Sequence, residues 1–248
     1  MIQNENQYML TKQKWARFNE AILRLQRNPL DKMVELEINS LARQRDELAW
    51  QMEEYDRRVH GDRKGRWMSL YSGTRFWPED PRPQDIDIRD IAHALSCINR
   101  FNGHTRRPYS VAQHCVLGSR FIHPRLALAF LMHDAGECYL GDIITPIKRL
   151  LREFYETAED KVMAAVASRF GFDMSERVKA EVKIMDLIML STEVRDLTTT
   201  GITCWPLQEL PLDERITECW SAEEAEQRFL ARFEELTGAR TADFWQAV

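Results

Sequence analysis

Between Ala127 and Asp142 the chain reads ALAFLMHDAGECYLGD, an apolar run that ends in His133 and Asp134 side by side. An imidazole and a carboxylate in such a segment are costly to bury unless each meets a strong partner. Glu137 follows His133 at i+4, so on a helix the two side chains share a face. Gly141 is suited to end that helix, and Asp142 falls in the turn just past it. Taken singly, His133 reads as an ordinary satisfied core histidine. Three carboxylates and an imidazole converging at one helix end instead point to a divalent cation.

Two further residues can complete its shell. His114 sits beside Val111, Cys115 and Val116 on the preceding helical segment, which antiparallel packing would bring to His133. Asp186 lies within IMDLIML, where a carboxylate needs a cation or a strong partner. His114, His133, Asp134 and Asp186 would form a mixed N/O set suited to one divalent transition-metal ion (Mn, Fe, Co, Ni or Zn) and less to Ca. In an octahedral shell, four protein ligands leave two positions for water and substrate.

The elements that must position these residues are almost all helical. Residues 8–60 are polar, and a first helix over about Gln7–Gln26 carries Trp15, Phe18, Ile22 and Leu25 on one face. Asn28-Pro29 interrupts it. Val34, Ile38, Leu41, Arg45, Leu48, Met52, Tyr55 and Val59 then alternate steps of four and three, a heptad seam with one charged member. Such a seam can close an intramolecular hairpin, pair chains in an oligomer, or lie on its own domain. The charged, glycine-bounded GDRKG at 61–65 marks a boundary between a helical extension over 1–64 and a second domain over 65–248.

In that second domain Trp67–Tyr71 and Thr74–Trp77 flank Ser72-Gly73 and predict a short hairpin. Helices are expected from Asp87 or Asp90 to about Phe101, from a Ser110 cap to the His123-Pro124 stop, and from about Arg125 to Tyr139. Thr145-Pro146 opens a long segment to Phe170. Apparent capping boxes at Asp173/Glu176 and Ser221/Glu224 open two more, the first running to Leu197. The fold class is all-α with a minor β-hairpin.

Composition narrows the function classes. A chain of 248 residues, 44% hydrophobic and 29% charged, suits a soluble globular protein. Neither a membrane span nor a signal peptide is legible. Five cysteines without a CxxC pair suit a reduced, cytoplasmic chain. A net charge of −5 argues against stable nucleic-acid binding but leaves a small phosphorylated metabolite open.

The order His114, then His133-Asp134, then Asp186 on helical elements resembles the HD-domain metal-dependent phosphohydrolase superfamily. Within it, the chain is similar to the 5′-deoxynucleotidase branch and to phage-type deoxynucleoside triphosphohydrolases, over roughly Ile86–Leu197. Ile98-Asn99-Arg100-Phe101 is similar to that branch's Ile-Asn-Arg-Trp segment, with Phe101 replacing its Trp. His133 through Glu137, Gly141-Asp142 and Thr145-Pro146-x-Lys148 follow its HDxxE, GD and TPxK pattern. The resemblance implies an HD-type helical bundle that hydrolyses a phosphoester with metal-activated water. It implies that Arg100 and Phe101 face the substrate, Arg100 pairing with its phosphate. Lys148, near a helix N-terminus, would add a second positive charge. Glu137 becomes the candidate general acid for the leaving oxygen, and Asp142 the group that orients water or contacts the sugar; the two roles are exchangeable.

Arg100 and the TPxK segment favour a 5′-deoxynucleotidase acting on monophosphates. The same metal centre would serve a triphosphohydrolase releasing triphosphate, or a phosphodiester or alarmone hydrolase. A coiled-coil interaction protein stapled by a structural metal is the non-enzymatic alternative, and its site would be saturated by protein ligands. His104, Arg106 and Arg107, in a turn before the His114 helix, could close over a phosphate or form a solvated basic loop. Glu193, Arg195 and Asp196 could support the ligands from behind or simply end a helix. His93 reads as a packing histidine, and Trp205 as core or interface. A homo-oligomer formed through the N-terminal helices is expected.

Overall fold

The computed structural model describes residues 1–27, 32–61 and 63–241; the Asn28-Pro29 interruption lies outside them. The chain divides into two compact units, Met1–Lys64 and a second beginning at Gly65.

The first unit is a pair of helices, α1 (Glu5–Leu25) and α2 (Lys32–His60). Asn4 caps α1 by accepting from the Gln7 amide at 2.9 Å, which satisfies one of the free N–H groups of the first turn. Tyr8 packs on Tyr55, with ring centroids 5.2 Å apart, so the start of α1 meets the end of α2 and the pair is antiparallel. Among its described residues the buried apolar side chains are few: Ile2, Tyr8, Ile22 and Tyr55. The heptad positions from Val34 to Tyr55 are shielded, whereas Val59 is exposed.

The second unit is all-α with one small sheet, in which β1 (Met68–Ser69) pairs antiparallel with β2 (Arg75–Phe76) across the Ser72-Gly73 turn. Its helices are α3 (Ile88–Cys97), α4 (Val111–Phe121), α5 (Ala127–Leu131), α6 (Glu137–Leu140), α7 (Thr145–Lys148), α8 (Arg152–Phe170), α9 (Glu176–Leu197) and α10 (Ala222–Thr237). Apolar faces of α3, α4, α8 and α10 close over Ile91, Leu95, Val116, Val166, Phe229 and Phe233. A second cluster, around Phe130, Val178, Val182 and Met189, joins α5 to α9. Gly118 lets α4 approach closely, because a Cβ there would stand 2.1 Å from the ring of the buried Phe130.

Four sequence expectations need correction. α3 stops at Cys97, and Arg100–Gly103 is a separate 3-10 turn in which Phe101 (φ 57°) and Asn102 (φ 50°) are left-handed. The helix expected over 125–139 is broken: residues 132–136 are turns between α5 and α6. There the amides of His133, Ala135 and Glu137 reach the carbonyls three residues back, so the chain winds more tightly than an α-helix. The segment from Thr145 to Phe170 is likewise split between α7 and α8, with Leu150 and Leu151 closing three-residue turns. Finally, the cap of α9 is Ser175, which accepts from the Val178 amide, while Asp173 accepts from the Ser175 amide and hydroxyl instead.

Candidate metal centre

Three packing arrangements assemble the site. Ser110 caps α4 by accepting from the Gln113 amide, and its residue pairs antiparallel with Asn99. The Arg100 amide donates to the Tyr109 carbonyl at 2.9 Å and the Val111 amide to that of Ile98 at 3.0 Å. This clamp holds Arg100 beside the first turn of α4, which carries His114. The tight winding after α5 carries His133 and Asp134. From the other side α9 contributes Asp186 and, two turns on, Glu193.

Each histidine has one nitrogen assigned by its partner. His114 is completely buried, and its Nδ1–H donates to Glu193 Oε1 at 2.6 Å. The His133 Nδ1–H donates to the Phe130 carbonyl at 2.7 Å, the carbonyl that an unbroken helix would offer to the Asp134 amide. Carbonyls and carboxylates only accept, so each ring holds a proton on Nδ1 and turns its Nε2 inwards. The His114 Nε2 lies 3.4 Å from Asp186 Oδ1 and 3.8 Å from Asp134 Oδ2. The His133 Nε2 lies 3.2 Å from Asp134 Oδ1 and 3.9 Å from Asp186 Oδ1. One donor atom each from His114, His133 and Asp134 falls within 4.8 Å of the others. Both Nε2 atoms and Asp134 Oδ2 are buried without a hydrogen-bond partner. Imidazole nitrogens and carboxylate oxygens converging this closely call for a positive charge between them, a proton or a cation, so this donor set fits a metal cation.

The surrounding field asks for the same charge. Burial and Arg100 oppose protonation of His114, but Glu193 and Asp186 outweigh them and lift it to about 9. Asp186 is held well below the usual carboxylate range, because the two imidazoles beside it outweigh its burial. Arg100 bridges the acids: its Nε–H donates to Glu193 Oε2 at 2.9 Å, and its terminal nitrogens stand 3.7 Å from Asp134 and 3.9 Å from Asp186.

Glu137 borders this group. Burial first, then Asp134 and Asp142, push its carboxyl well above the ordinary range, and its Oε2 is buried without a partner. A carboxyl so placed is driven toward its protonated form, the form that can deliver a proton. Burial also raises Asp142, against the pull of Arg100. Tyr155 fixes the adjoining loop by donating to the Gly141 carbonyl at 2.8 Å.

His114, His133, Asp134, Asp186 and Arg100 are thus in mutual contact, and Glu137 and Asp142 lie within their field. Lys148 also bears on Glu137 and Asp142 electrostatically, but its Nζ is paired with Glu159 at 2.7 Å, so it does not stand free for a phosphate. Phe101 stands edge-on to Trp205, with centroids 5.7 Å apart, and its ring lies 5.8 Å from the Arg100 guanidinium. His104 and Arg107 are exposed, and among the described residues no contact joins either to the cluster. The Arg106 amide ties that loop to the end of α9 by donating to the Leu197 carbonyl at 2.9 Å. His93 is satisfied by Glu226 at 3.0 Å and stacks on Tyr71.

The chain is 39% identical over 176 residues to the uncharacterized protein YfdR of Escherichia coli (strain K12), covering 70% of this chain and 97% of YfdR. It belongs to the YfdR family. The uncharacterized protein RCAP_rcc00048 of Rhodobacter capsulatus, 37% identical over 145 residues, covers 54% of this chain and 74% of its own length. No family model matches the chain.

Proposed function

We propose that the protein is an HD-type, metal-dependent phosphohydrolase acting on deoxynucleotides, with 5′-deoxynucleotidase activity on monophosphates as the reading best supported. The observation that carries it is the convergence of two inward-facing imidazole nitrogens and two aspartates beside a buried arginine. His114, His133, Asp134 and Asp186 would hold one divalent transition-metal ion from the Mn-to-Zn series. When bound, such an ion lowers the pKa of water and polarises a phosphoryl oxygen.

The remaining steps belong to the chain's own residues. Arg100 turns its two terminal nitrogens to the phosphate and offsets its charge. As water's oxygen bonds to phosphorus and the bond to the sugar oxygen breaks, Glu137 gives its proton to that leaving oxygen. Asp142 orients the water or contacts the sugar. Phe101 bounds the substrate on the Trp205 side. Five free cysteines support a reducing, cytoplasmic setting. We place homo-oligomer contacts on the N-terminal helices, whose exposed Leu23, Leu36 and Trp50 leave apolar surface uncovered within their own unit.

Product chromatography after incubation with matched mono- and triphosphates of each deoxynucleoside tests the reading. Phosphate plus nucleoside from the monophosphates is expected. Release of intact triphosphate would reassign the enzyme as a triphosphohydrolase, and turnover of neither would remove the nucleotidase reading.

A further inference from the structure

Resting on the metal-centre reading above, we infer that Glu193 is a positioning residue that serves the ligand His114 and the phosphate-facing Arg100 at once. Metal affinity and anion capture would then depend on one buried carboxylate. The helix register creates the arrangement. Asp186 and Glu193 are seven residues apart on α9, about two turns, and therefore share a face. Asp186 meets the inner nitrogen of His114, and Glu193 meets the outer one.

Glu193 is completely buried and each oxygen has its own task. Oε1 accepts from His114 Nδ1 at 2.6 Å, which fixes the ring with Nε2 turned to the coordinating side. Oε2 accepts from Arg100 Nε at 2.9 Å. That bond pins the guanidinium by its inner nitrogen. The two outer nitrogens stay 3.7 and 3.9 Å from Asp134 and Asp186, beyond hydrogen-bond length, so the edge that grips a phosphate bidentately is kept available. Both partners are donors, so the position requires two acceptors.

Glutamine has the same shape but offers one acceptor and one donor. If its oxygen serves Arg100, its amide N–H₂ faces His114 Nδ1 and drives the ring proton to Nε2, where it blocks coordination. If its oxygen serves His114, two donors meet at Arg100 and the guanidinium must turn. Aspartate keeps two acceptors but is one methylene too short to reach both partners.

The test is calorimetric titration of wild type, E193Q, E193D, R100A and R100A/E193Q with Co2+, followed by titration of each Co2+-saturated protein with inorganic phosphate. The visible Co2+ band reports the ligand shell in parallel. Loss of this kind of support should weaken Co2+ by roughly 10- to 100-fold, with a changed band, or weaken phosphate comparably where Co2+ is spared. At saturating Co2+, E193Q should add nothing to the phosphate defect of R100A. Near-wild-type binding of both probes by E193Q or E193D would overturn the inference, as would a deeper phosphate defect in the double variant. Failure of both single Glu193 variants to fold would make Glu193 a folding residue and overturn it too. If wild type bound no Co2+, the metal-centre reading would fail and take the inference with it. If both probes responded as expected but no nucleotide were hydrolysed, the hydrolase reading alone would fall.

Discussion

His114 lies between two acids, and this gives opposite pH trends for metal-free and metal-loaded protein. Its folded value of about 9 exceeds the ordinary 6.5, so the fold favours its protonated form. The resulting stability is fully present below 6.5 and is lost as pH rises through 9, on the order of 3 kcal/mol in all. Urea midpoints of chelator-treated protein should therefore fall across that window; a flat or rising midpoint would contradict the assignment. A metal must displace the same proton, so Co2+ affinity should climb over the same range, with proton release seen by calorimetry in different buffers. At Glu137, substitution by Gln should leave Co2+ binding almost unchanged and lower turnover by roughly 10²- to 10⁴-fold. A near-normal rate would pass the acid role to Asp142. The four ligand candidates were legible because each interrupts an apolar run. Glu193 was legible only as one of two alternatives, a support for the ligands or, beside Arg195 and Asp196, an ordinary polar helix end. Only its complete burial against His114 and Arg100 separates the two readings.

At the scale of elements, the sequence located the helices better than their interruptions. Ser110 and Ser221 announced α4 and α10 correctly, because capping is a local transaction between a hydroxyl and an amide two or three residues on. The break after α5 leaves no such signature in the sequence. The His133 ring takes the Phe130 carbonyl, and the chain tightens to three-residue turns around it. The left-handed pair Phe101–Asn102 was equally hidden, since neither residue is glycine. Gly118 shows how packing between elements supports the site. Alanine would favour the α4 helix by about 1 kcal/mol, whereas overpacking a core costs about 1–3 kcal/mol. With a Cβ 2.1 Å from the completely buried Phe130 ring, the second effect should win. Gly118→Ala should lower the urea midpoint and, by displacing α4, weaken Co2+ binding; a stabilised variant with unchanged Co2+ affinity would show that the ring can yield.

For the molecule as a whole, every residue of the candidate metal centre belongs to the second unit, and among the described residues the first buries few apolar side chains. The heptad pattern made the helices of the first unit legible, but a seam that shields its own partner reads the same as one that pairs chains. Removing residues 1–64 should lower the particle mass per chain measured by light scattering while leaving Co2+ affinity nearly unchanged; an unchanged assembly state would make the hairpin purely intramolecular. Among the described residues no helix is long and apolar enough to cross a membrane. The most direct test of the central claim is phosphate release from deoxynucleoside monophosphates, measured side by side for Co2+-loaded wild type, chelator-treated wild type and Asp134→Ala. Release by the loaded wild type, abolished in the other two, is the expected result. No release by the loaded protein, or release indifferent to chelator and to Asp134, would contradict a metal-dependent phosphohydrolase.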